Sequence, residues 1–156
     1  MVEDARYRTK DFLTDVTIPT GIQAANILKD DGVTQASFIV AYGYPDYPLE
    51  RVFLGTKNVD LVYAILKPTS VPLLGGSTTP WGYEESVPID IRTITKQGIT
   101  GTKLMWQGEA ELRRICETYP LGSSRRNLSE SRDITESGST TIYGVRVVMS
   151  YRRGIT

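Results

Sequence analysis

Residues 101–119 read GTKLMWQGEAELRRICETY, and this stretch decides the fold class. Leu104, Gly108, Leu112, Ile115 and Tyr119 recur at three- and four-residue spacing, the period that gathers side chains on one side of an α-helix. Met105 and Cys116 widen the stripe. Thr102 is the expected N-cap, and Pro120 with Gly122 supplies the stop. Glu109 and Arg113 form an i,i+4 acid–base pair in the favourable order, on the solvent side. The stripe reads as a core face rather than a cofactor-binding one, with Cys116 as a small buried hydrophobe within it.

Strand patterns surround this helix. Before it, VPIDIRTIT (87–95) alternates, with Val87, Ile89 and Ile91 on one face and Asp90 and Arg92 on the other, as in a strand with one wet face. Pro88 suits an edge or a first strand position. After it, Arg126–Ile134 is a polar strand, Glu136–Ser139 a turn, and TTIYGVRVVMSYRR (140–153) a long return strand. In that return strand Tyr143, Val145, Val147, Met149 and Tyr151 point one way.

Further out, Val59–Leu66 is a strand ended by Lys67-Pro68, and ASFIVAYGY (36–44) is another, closed by Pro45. Val52–Leu54 reads as a short strand or extended segment. Ile22–Leu28 bears apolar residues between breakers, and residues 3–14 suit a short helix with Tyr7, Phe12 and Leu13 as contacts. The expected fold is therefore α+β: a mixed, mostly antiparallel sheet with one long helix packed on one face. One domain over residues 1–156 accommodates it, a length that buries roughly 70% of the unfolded chain's surface.

Composition narrows the chemistry. The chain has no histidine, which removes Ser-His-Asp and Cys-His nucleophile systems, and a single cysteine, which removes an internal disulfide. Zinc sites built from Cys and His at the usual spacings go with them. The pairs Glu84-Glu85 and Asp30-Asp31 lie in polar, turn-like stretches where solvated charge is expected. No catalytic, metal or cofactor-binding residue is assigned, and the chain reads as a non-enzyme. Eighteen basic residues balance eighteen acidic ones, so the total carries none of the basic excess of a nucleic-acid binder. No apolar run approaches the ~20 residues that span a bilayer. The polar N-terminal MVEDARYRTKDF lacks the apolar segment of a signal peptide, so a soluble protein made in the cytoplasm is expected.

Residues 68–86, with Pro72, Gly75, Gly76, Pro80 and Gly82, read as a long loop. No lysine follows Gly75-Gly76-Ser77-Thr78-Thr79 in the P-loop pattern. The loop also holds Leu73, Leu74, Trp81 and Tyr83, a composition odd for a segment that meets only water. The aromatic pair packs either on the body of its own domain or on a neighbouring subunit.

The order of VPIDIRTIT, the 101–119 helix and the Arg-terminated strand TTIYGVRVVMSYRR resembles the tail-terminator or tail-completion proteins of long-tailed phages and related archaeal viruses. The likeness covers roughly residues 87 to 153 and rests on element order, with no catalytic motif to match. It implies a structural virion protein, a homo-oligomeric (hexameric) ring on the last tail-tube ring that stops tube growth and joins tail to head. The implied partners are copies of itself, the tail-tube protein and neck or connector proteins; viral DNA would only pass through the lumen. Leu73, Leu74, Trp81 and Tyr83, with Arg152 and Arg153 at the rim, are the expected subunit contacts. The alternatives are another neck or tail component, such as a head-completion, connector or tube protein, and a cellular ligand-binding module that stacks on Tyr42, Tyr44 and Tyr47.

Overall fold

The computed structural model describes residues 5–15, 21–43, 49–55, 57–76, 78–118, 127–138 and 140–154. Its elements, in chain order, are α1 (Ala5–Thr14), a single 3₁₀ turn (Ala24–Asn26), β1 (Phe38–Tyr42), α2 (Leu49–Leu54), β2 (Leu61–Ile65), β3 (Thr69–Leu73), β4 (Gly82–Ile94), α3 (Gly101–Thr118), β5 (Asn127–Asp133) and β6 (Ile142–Gly154). The strands form one six-stranded sheet in the order β1-β2-β4-β6-β5, with β3 on the same edge of β4 as β2. Only β1 and β2 run parallel; the other pairs are antiparallel. This is the mixed, mostly antiparallel α+β sheet that the alternation predicts.

The β4–β6 ladder runs without a shift from Gly82↔Gly154 to Ile94↔Ile142, so one alternation governs both long strands. One face carries Leu61, Tyr63 and Ile65, Val87, Ile89 and Ile91, and Val145, Val147, Met149 and Tyr151, all buried in the main core. There α3 lays down Leu104, Met105, Leu112, Ile115 and Cys116, and α1 adds Ala5, Phe12 and Leu13. Tyr119 lies outside the described residues. Gly108 lets the helix come close: a Cβ there would stand 3.0 Å from Leu61 Cδ2 and 3.1 Å from Tyr63 Oη. The Tyr63 hydroxyl donates to Gly108 O at 2.9 Å. Burial, with the nearby Glu111 charge adding to it, pushes that phenol well above its usual pKa.

The opposite face departs from the alternation argument. Asp90 and Arg92 are buried, not wet. Asp90 takes a two-point ion pair from Arg146, with Nε to Oδ1 at 2.6 Å and Nη2 to Oδ2 at 2.8 Å. Arg92 donates to Ile134 O and pairs with Glu136. A smaller core on this face joins Val62, Ala64, Ile94 and Ile142 to Val52, Phe53 and Val59. Val52–Leu54 is thus the end of helix α2 rather than a strand, because a short amphipathic turn presents Val52 and Phe53 together to that face. Glu85, expected in solvent, is buried in β4.

Two further expectations shift. Helix α3 begins before Thr102: Leu104 N–H donates to Thr100 O at 3.0 Å, placing Thr100 at the cap. The Thr100 N–H and hydroxyl are both held by Asp30, and Gly101 N–H by Thr95 Oγ1, so side chains from outside satisfy the helix start. Pro88 sits inside a central strand. Its carbonyl accepts Leu66 N–H at 2.9 Å, so its missing N–H falls at the 66–68 break between β2 and β3 rather than toward β6.

Lys96 ties α2 to the sheet. Its ammonium donates to Phe53 O, Asn58 Oδ1 and Val59 O at 2.9–3.1 Å and pairs with Asp60 Oδ1 at 2.8 Å. Burial acts to raise the Asp60 pKa, but the Lys96 hydrogen bond, the Ser37 N–H and the Lys96 charge outweigh it and hold the carboxyl below 3.8. A depressed folded-state value stabilises the fold above the unfolded pKa and loses that contribution as pH falls through the folded one. Asp60→Asn is therefore expected to be less stable than the wild type at neutral pH, with a gap that narrows in acid. Urea unfolding at a series of pH values checks it; a gap constant from about pH 7 to about pH 2 would contradict the ion pair's role.

Candidate assembly surface

Residues 68–86 are a β-hairpin, not a loop. Thr69–Leu73 pairs with the first part of β4, from Thr69↔Ser86 to Leu73↔Gly82, and Trp81 N–H donates to Leu73 O at 2.9 Å. Gly75 and Gly76 turn the chain at φ +51° and +86°, a left-handed region that glycine enters without a Cβ penalty. Because Leu73 O faces β4, alternation turns the N of Pro72 outward, where no partner strand among the described residues misses its N–H. The first residues of β4 pair on their other side with the end of β6, so β3, β4 and β6 extend together as an arm.

This arm brings the expected contact residues to one end of the sheet. Leu73 lies opposite Gly82, Tyr83 opposite both Pro72 and Arg153, and Arg152 opposite Glu84. They do not share one face. Alternation puts Leu73 and Arg152 on the α2 side and Tyr83 on the α3 side, where the Arg153 register position also falls. Leu74 and Trp81 stand at the tip, 44% and 53% exposed. The Trp81 indole lies over the hairpin's own turn, where a Cβ on Gly75 would come within 2.9 Å of Nε1. Val71, 56% exposed, stands in the row of Glu84 and Arg152 and completes an apolar strip that the reading as a loop passed over. Its signal was the T-S-V-P-L run ahead of Gly75-Gly76, a strand followed by turn residues.

Of the rival stacking surface, Tyr42 lies among the described residues and has aromatic and cationic neighbours within the chain. Tyr42 and Tyr7 form a T-shaped pair at a centroid distance of 5.1 Å, and Lys10 Nζ stands 4.7 Å from the centre of the Tyr42 ring; both tyrosines keep exposed surface. Tyr44 and Tyr47 lie outside the described residues. Asp31, in an exposed turn, accepts from the Thr34 hydroxyl and the Val33 and Thr34 N–H groups, which hold its pKa at about 2. These bonds explain that carboxylate without a ligand. Among the described residues, no group of three or more His, Cys, Asp or Glu converges to hold a metal ion. No helix among them is long and apolar enough to cross a membrane.

Compared with models of known protein families and with curated protein sequences, the chain matches none.

Proposed function

We propose that the chain is a structural, non-catalytic subunit that assembles with copies of itself, and that the assembly is the ring closing a viral tail tube at the neck, where tail joins head. The observation that carries the assembly reading is the arm: Val71, Leu74 and Trp81, all exposed, on a hairpin with its own closed turn. Large apolar side chains left in water on a built element are the usual anchors of an interface, where one or two carry most of the binding. The tail-end reading rests on the likeness of residues 87–153 to tail-terminator proteins in the order of strand, helix and long return strand; here those elements are β4, α3 and β6, with β5 between the last two.

Trp81→Ala tests it. The indole contacts the turn rather than the main core, so the variant is expected to fold with its stability within ~1 kcal/mol of the wild type while failing to assemble or to join heads to tails. Thermal unfolding and sedimentation of the purified variant, with imaging on tail tubes, read the two effects separately. An unfolded Trp81→Ala beside a normally assembling variant that lacks the hairpin tip would move the interface elsewhere.

A further inference from the structure

Resting on that assembly reading, we infer that copies join edge to edge: β5 of one copy pairs antiparallel with β1 of the next, and the sheet runs on from subunit to subunit. The hydrogen-bond alternation leaves both edges open. Leu61 N–H donates to Ser37 O and Gly43 N–H to Ile65 O, so Ser37, Ile39, Ala41 and Gly43 face β2 and the N–H and C=O groups of Phe38 and Val40 turn outward. At the other end, Ile134 N–H donates to Gly144 O, so Arg132 faces β6 and Ser131 and Asp133 turn outward. Among the described residues no strand covers either edge.

Strand direction then fixes the kind of pairing. One parallel step (β1–β2) and three antiparallel ones (β2–β4, β4–β6, β6–β5) leave β5 running opposite to β1. A second copy in the same orientation therefore presents β5 antiparallel to β1, the slightly more stable ladder. β1 (FIVAY) carries none of the usual guards of an exposed edge, neither charge, proline nor bulge, whereas the outer edge of β3 is blocked by Pro72. β5 does carry guards, a bulge between Leu128 and Glu130 and the charges of Glu130, Arg132 and Asp133; their net negative sign opposes β5–β5 pairing and suits a strand with the Lys10 ammonium beside its end. The contact joins two different edges, so it propagates and closes into a ring when the rotation permits. A β1–β1 contact would stop at a dimer.

The test compares amide hydrogen exchange of the wild-type subunit with that of its assembled form. The amides of Phe38, Val40, Ser131 and Asp133 are expected to become protected on assembly. If they exchange as in the subunit while the ring is intact, the edge pairing is wrong and the assembly reading stands; if no assembled form exists, both fall. Val40→Pro and Ser131→Pro provide the second arm, since each removes an outward N–H and no ladder bond inside the subunit. Each alone is expected to lose assembly, and a mixture of the two to give one-to-one heterodimers joined at the remaining intact pair of edges. Dimerisation of Ser131→Pro by itself would show β1–β1 pairing and overturn the proposal, as would normal rings from either variant.

Discussion

Leu112→Ala is expected to lower folding stability by about 2–5 kcal/mol, the range for truncating a large buried aliphatic side chain. Leu112 has no exposed surface and lies in the core cluster that holds Val147, Ile89 and Ile91 from the facing strands. Close approach of α3 at Gly108 leaves the sheet little room to settle into the space vacated, which favours the upper part of the range. Urea unfolding measures it, with Arg113→Ala on the exposed side of the same helix as the control. A Leu112→Ala change within ~0.5 kcal/mol, the surface range, would mean that the helix presents another face to the sheet.

Arg146→Leu is expected to be nearly as costly, for a different reason. Asp90 is fully buried, and Arg146 pairs with both of its carboxylate oxygens. Removing one partner of a buried, hydrogen-bonded ion pair costs about 3–5 kcal/mol; the Arg146 side chain is 30% exposed, so water reaches the gap and the lower end is expected. Replacing both partners with apolar residues of similar volume is often neutral. The Asp90→Leu, Arg146→Leu double variant is therefore expected to recover most of the loss. A double variant as unstable as the sum of the two singles would show that the pair is not coupled.

The sheet and its main helix were legible because their burial follows a period. Val87, Ile89 and Ile91 repeat every second residue, and Leu104, Gly108, Leu112 and Ile115 every third or fourth. Asp90 and Arg92 show where that logic stops: alternation distinguishes two faces but does not say that the second is also covered, and a charged residue is buried when another strand brings it a partner. Arg146 does so from 56 positions away. At Val52–Leu54 three residues carry no period, and the helical turn shows only in Val52 and Phe53 joining the cluster that holds Val62 and Ala64. In residues 68–86, Pro72 and the paired glycines signalled the turn, but proline in an edge strand was read as a breaker. The candidate interface residues were found by composition alone. That they meet at one end of three strands, on two faces, follows from the β4–β6 register, which no local pattern encodes.

Counting copies of the chain at the end of a tail tube tests the central claim most directly, by negative-stain imaging and mass measurement of tube-bound material. Tube-bound material shows the copies in the place where the ring acts. The account predicts a closed ring of identical subunits capping each tube. A ring of twelve would redirect the chain to the connector, and a lone copy per particle would contradict the assembly reading outright.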